Sequence, residues 1–176
     1  MHNIDLVGSF VVGGLLLLAL VGLTAYFNMS AHSNNISQVE QRNLTEFGRV
    51  IEYDFNKIGY RVTSGDTIVA MDSTYIRFRA DIDNNGTADS VSYIRSGQRP
   101  DFTLTRHTSL APRSDFSFKV KDFSLRGYTA SGALTYSKTQ VHSIEFRILL
   151  EKEVRLPQQV DKHGGYWTRK FYPKNL

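Results

Sequence analysis

The densest set of oxygen ligands in the chain is the run Asp81-Ile82-Asp83-Asn84-Asn85-Gly86-Thr87-Ala88-Asp89. A hard cation such as calcium takes six to eight oxygens, and an EF-hand-like loop supplies them from alternating positions around a glycine. The ligands this spacing offers are the side chains of Asp81, Asp83, Asn85 and Asp89, with the carbonyl of Thr87. At the twelfth position, where a bidentate glutamate would complete the loop, stands Ser92. The same residues also suit a plain hairpin turn, with Asn85-Gly86 making the reversal and the aspartates keeping its tip solvated. Both readings stand at this level, and calcium is the candidate cofactor.

Other chemistry is sparse. With no cysteine among 176 residues there is no thiolate metal site, disulfide or thiol nucleophile. The histidines, His2, His32, His107, His142 and His163, are dispersed and show no ligand spacing. No nucleophile elbow, phosphate-binding loop or dinucleotide glycine fingerprint occurs, so no catalytic residue is proposed and a non-enzymatic role is expected. The net charge of +4 is spread through strand-like segments and gathers only around Lys162, Arg169, Lys170 and Lys174, which gives a nucleic-acid partner little support. One more acid matters for its position. Asp5 stands at the mouth of an apolar run, where a carboxylate is costly unless a partner neutralises it.

That run, Leu6 to Phe27, contains no charge, and about 20 such residues cross the hydrocarbon core as a helix. It is longer than the apolar core of a secretory signal and has no Lys or Arg before it, which favours an anchor and makes lipid a partner. Gly8, Gly13, Gly14 and Gly22 within it either let neighbouring helices approach closely or reflect the frequency of glycine in membrane helices. Beyond the run, Ser30 to Ser37 reads as a weakened turn or short break. Ile36, Val39, Leu44, Phe47, Val50, Ile51, Phe55 and Ile58 then recur at mostly three- and four-residue steps, an apolar stripe that Gly59 stops.

After Gly65 the period falls to two. Thr74 to Arg79 and Val91 to Ile94 flank the acidic turn as a hairpin, and further strands are expected over Phe102 to Arg106, Phe116 to Leu125, Val141 to Leu150 and Tyr166 to Tyr172. Strands following one long helix predict an α+β fold, with an antiparallel sheet burying one face on the helix stripe. The expected organisation is a transmembrane half-helix at 1–29, an amphipathic half-helix at 30–60 and a β-rich head at 61–176.

The layout as a whole resembles the type IV pilin-like proteins, especially minor pilins and the minor pseudopilins of type II secretion systems. The resemblance rests on Ile4-Asp5-Leu6-Val7 opening the apolar run, on Arg49 to Tyr60 closing the helix with Ile58-Gly59-Tyr60, and on the hairpin Ile76 to Ile94. It implies a non-enzymatic filament subunit in the bacterial inner membrane, single-pass, with its head on the non-cytoplasmic side. Such a subunit co-assembles with other pilin-like chains through its N-terminal helix and serves protein transport or pilus formation. In that family a glutamate at the fifth mature position meets a neighbour's N-terminal amine, and Asp5 matches it when Met1 is the first mature residue. Asp5, Gly8, Gly13 and Gly14 are then the assembly residues. His2 and Asn3 depart from the family's usual opening. The alternative is a membrane-tethered extracytoplasmic domain with a binding, adhesive or sensory role.

Overall fold

A computed structural model describes the backbone at residues 2–110, 114–155 and 160–176, and the side chains there except at 2–6, 33, 40, 101, 152–155, 160, 161 and 163. One helix, α1, runs His2–Asn56 without interruption, 55 residues or about 82 Å at 1.5 Å per residue. Of the two alternatives at Ser30 to Ser37, the short break does not occur: the backbone stays helical, as one long helix requires. Ser and Asn each cost a helix only about 0.7 kcal/mol or less relative to Ala, and propagation from established turns on both sides outweighs that. No proline precedes Pro100 to stop it.

The helix ends where glycine permits. Gly59 has φ +78° and its amide donates to the Arg79 carbonyl at 2.9 Å, turning the chain onto the first sheet. A Cβ there would lie 2.3 Å from the Asn175 carbonyl oxygen, so the C-terminal tail closes over this position.

Two antiparallel sheets follow. The first has the order β1 (Ile68–Met71), β2 (Tyr75–Ala80), β3 (Asp89–Gln98), β4 (Asp101–Thr108), β5 (Phe116–Val120). The second is β6 (Asp122–Tyr128), β7 (Ser143–Arg155), β8 (Val160–Phe171). The single strand expected over Phe116 to Leu125 is therefore two strands. The chain leaves one sheet at Val120 and enters the other at Asp122, with the Lys121 amide donating to Leu149 O at 2.8 Å. β1 escaped the sequence reading because four residues are too few to show a period. Arg95 joins the sheets by donating from Nη1 to Phe123 O at 3.0 Å.

The apolar stripe of α1 fills the angle between the sheets. Phe55, fully buried, has its ring 5.6 Å from Phe78 and Tyr93 of the first sheet, and 5.3 and 5.0 Å from Phe146 and Phe171 of the second. Phe47 stacks on Phe118 at 3.5 Å. Gly48 leaves room for Trp167, whose Nε1 would be 3.0 Å from a Cβ at that position. Val39 is 55% exposed, so the packed part of the stripe starts at about Leu44, later than the sequence suggested.

Candidate functional site

The β2–β3 turn gathers the acidic residues singled out above. Ala80 pairs with Asp89 at the mouth of the hairpin, and the left-handed residues inside are Asn84 (φ 64°) and Gly86 (φ 91°). This is a wider loop than a two-residue Asn-Gly reversal. One carboxylate oxygen each of Asp81, Asp83 and Asp89 lies within 4.8 Å of the others, the one such acidic or histidine grouping among the described residues. Asp81 and Asp89 are buried while Asp83, Asn85 and Thr87 are exposed.

The two buried acids differ. Asp81 Oδ2 accepts from the Gly86 amide and from Arg61 Nη1, both at 3.0 Å, while its buried Oδ1 has no donor in hydrogen-bond geometry among the described residues. Burial works against its charge, but the Gly86 amide, the Arg61 guanidinium and, more weakly, the Asn84 amide outweigh burial and hold its pKa below the ordinary value. Asp89 accepts from the Ile82 amide at 3.2 Å, yet burial and the neighbouring charges of Asp83 and Asp81 push its pKa up. Asn85 donates to Asp83 Oδ2 at 2.9 Å, and its own Oδ1 accepts the Thr87 amide at 2.7 Å.

The end of α1 is tied to this turn. Tyr53 donates its hydroxyl to Ile82 O at 2.6 Å, and Lys57 Nζ donates to Asp81 O at 3.0 Å, Ile82 O at 2.9 Å and Asn84 Oδ1 at 2.8 Å.

A second polar cluster went unseen in the sequence. Asp54, fully buried on the packed face of α1, takes a forked pair from Arg106 of β4, Nε to Oδ2 at 2.6 Å and Nη2 to Oδ1 at 3.0 Å. Tyr93 of β3 adds its hydroxyl to Oδ2 at 2.6 Å, and Arg106 Nη1 donates to the carbonyl and hydroxyl of Ser114. Burial disfavours the Arg106 charge, and the bonds to Asp54 more than offset it, so its pKa rises; burial first, then the Asp54 charge, raises Tyr93 well above 10.0. The cluster locks the helix to the first sheet with all three side chains satisfied. An open hollow of about 410 Å³ beside it is lined by Tyr53, Arg106, Ser114 and Phe116 among others.

At the other end of the molecule, the apolar run stands clear of the head. From Val7 to Phe27 its large side chains are exposed, Phe10 at 84% and Leu18 at 70%. By length and hydropathy (window mean 2.3) this is a helix able to cross a membrane. A Cβ at Gly8, Gly13, Gly14 or Gly22 would meet nothing within 4 Å. Asp5 belongs to α1, but its side chain lies outside the described ones.

No family model, curated protein or solved structure matches this chain. Its functional reading therefore rests on the geometry just described. The structure brings Asp81, Asp83 and Asp89 together, keeps Asn85 and Thr87 in the same turn, and puts Gly8, Gly13 and Gly14 where an added Cβ would meet no described atom within 4 Å.

Proposed function

We propose that this chain is a non-enzymatic, pilin-like subunit, anchored in the bacterial inner membrane by the first half of α1 and co-assembling with other pilin-like chains through that helix. The observation that carries the reading is the division of one continuous helix. Its last turns, from about Leu44, are built into the head core, while Val7 to Phe27 offers lipid or protein an uncharged apolar surface. Exposed apolar patches of a few hundred Å² already mark interaction sites on soluble proteins, and a bare helix of this kind needs a membrane or neighbouring helices around it.

The glycines add direction to the argument. At about 100° per residue, Gly8 and Gly22 fall within about 40° of each other, while Gly13 and Gly14 point about 140° and 120° away on opposite sides. A single dimer seam would want them in one line, as in GxxxG pairs. Their spread suits a helix approached from several sides, as in a bundle. Asp5 at the membrane-entry end would then be neutralised by a neighbour's N-terminal amine, offsetting the cost of a carboxylate among apolar side chains.

Two measurements test this. Alkaline carbonate extraction should leave the chain in the membrane pellet, and recovery in the soluble fraction rejects the anchor. Replacing Asp5 with Ala should lower cross-linking to other pilin-like chains while the head stays protease-resistant. If the membrane-extracted protein carries no pilin-like partner and forms no oligomer, the tethered binding, adhesive or sensory domain takes the place of the filament subunit.

A further inference from the structure

We propose that the β2–β3 turn is a calcium site, liganded by Asp81, Asp83, Asn85, Asp89 and the Thr87 carbonyl, and that the bound ion pins the end of α1 to the hairpin. Two independent observations meet here. Three carboxylates from one turn converge within 4.8 Å, and one of them, Asp81, keeps a fully buried oxygen, Oδ1, with no donor in hydrogen-bond geometry among the described residues. A buried carboxylate oxygen without a partner is costly and rare, and a cation satisfies it as a hydrogen-bond donor would.

The local charge points the same way. Three carboxylates face two cations, Arg61 on Asp81 Oδ2 and Lys57 on the turn carbonyls, which leaves negative charge uncompensated. Lys57 is occupied by carbonyls and by Asn84, and Arg61 bonds Asp81 alone, so no cation bonds Asp83 or Asp89 among the described residues.

Ligand chemistry selects the ion. All donors are hard oxygens, which excludes metals that favour nitrogen or sulfur. Oxygens on opposite sides of calcium stand about 4.6–5.2 Å apart, twice a 2.3–2.6 Å bond, and neighbouring ones closer, so three carboxylates within 4.8 Å of one another fit around the ion. Magnesium demands near-ideal octahedral geometry at about 2.0–2.1 Å and gives up its waters reluctantly, so a mixed set of carboxylates, an amide and a carbonyl suits calcium better. The exposed side of the turn, at Asp83 and Asn85, leaves room for water ligands to complete the shell. Ser92 in place of a bidentate glutamate, and Arg61 already on Asp81, set the affinity in the range of extracellular modules, about 10⁻⁴–10⁻³ M.

The consequence for the fold follows from the ties already present. Tyr53 and Lys57, in the last turns of α1 and just beyond it, hold the carbonyls of Asp81 and Ile82, so an ion that stiffens the turn also stiffens the helix end. The proposal is independent of filament assembly and fails separately from it.

The test uses the full chain in nonionic detergent. Calcium at millimolar concentration should raise the melting temperature by several degrees and displace tyrosine-sensitised terbium emission, with magnesium markedly weaker. Asp83→Asn, at an exposed position where the amide oxygen can still accept from Asn85, should weaken calcium about tenfold or more without lowering the melting temperature of the ion-free protein. Amide exchange at residues 57–61 should slow on calcium addition. Absence of both the thermal shift and calcium-displaceable terbium emission up to about 10 mM, ten times the weakest affinity expected, or wild-type affinity in Asp83→Asn, overturns the site. Unchanged exchange at 57–61 in the loaded protein overturns the pinning.

Discussion

Tyr93, Asp54 and Arg106 show how a charged group is kept inside an apolar core. A buried pair of opposite charges gains little over apolar residues of the same size, but removing one partner leaves the other unpaired at a cost of about 3–5 kcal/mol. The cluster therefore contributes orientation: Arg106 can fork onto Asp54 only when α1 lies in one register against β4. Tyr93 completes Asp54, and its phenol is held protonated. Tyr93→Phe should lower stability at neutral pH by about 1.5–3 kcal/mol, the range for a hydrogen bond to a charged group. The pH dependence carries the sign. A folded-state pKa raised above the unfolded value of about 10 gives stability that is complete below pH 10 and is lost as pH rises towards the folded value, because the unfolded chain ionises first. The gap between wild type and Tyr93→Phe should therefore narrow as urea midpoints are followed from pH 8 to pH 11. A constant gap would mean that the phenol is not held in its neutral form by the fold.

At the scale of elements, the end of α1 is the most constrained point. Gly59 combines a left-handed backbone with the tail's Asn175 carbonyl pressed against the space a Cβ would take. Gly59→Ala should cost about 1–2 kcal/mol for the backbone conformation alone, and more in the intact chain because Asn175 or Thr67 must shift. Deleting 173–176 in both backgrounds separates the two: the Ala penalty should shrink to the backbone part once the tail is gone. An equal penalty with and without the tail would show that the contact yields freely.

How far these elements were legible in the sequence depends on the period each one shows. The long helix, its stop at Gly59 and the β2–β3 hairpin follow from apolar spacing and one glycine. The division of 116–128 into two strands was marked only by a slip of phase: inward positions run 116, 118, 120 and then 123, 125, 127, with Lys121-Asp122 between them, a slip that a bulge within one strand would also produce. Asp54 was legible in part. It stands three residues after Ile51 and four before Ile58, a core-facing position, just as Arg106 follows Phe102 and Leu104 on the inward face of β4. Two opposite charges at apolar phases of two elements are the mark of a buried pair. Which charge meets which requires the tertiary register. The acidic turn was legible as a ligand set, while the stranded Asp81 Oδ1 and the ties from Tyr53 and Lys57 are products of packing.

On the scale of the whole molecule, the two halves of α1 answer to different surroundings, and that separation makes the filament reading testable without disturbing the head. A side chain added at Gly14 points into space that nothing in this chain occupies, and replacing glycine within a helix raises helical propensity by up to about 1 kcal/mol. Gly14→Leu should therefore leave the membrane insertion and the protease resistance of the head unchanged. In an assembled bundle the same leucine meets a neighbouring helix, because close approach depends on a small residue at the contact. A photoreactive residue at Leu18, 70% exposed and one turn further along the helix, reports the neighbours directly. The expected outcome is a several-fold loss of adducts with other pilin-like chains in Gly14→Leu, with adducts to lipid retained. Gly14→Ala serves as the graded control: a methyl should reduce the adducts less than an isobutyl group if distance between helices sets the yield. Equal yields from glycine, alanine and leucine would mean that the glycines only accompany a membrane helix, and assembly would have to be sought on the head.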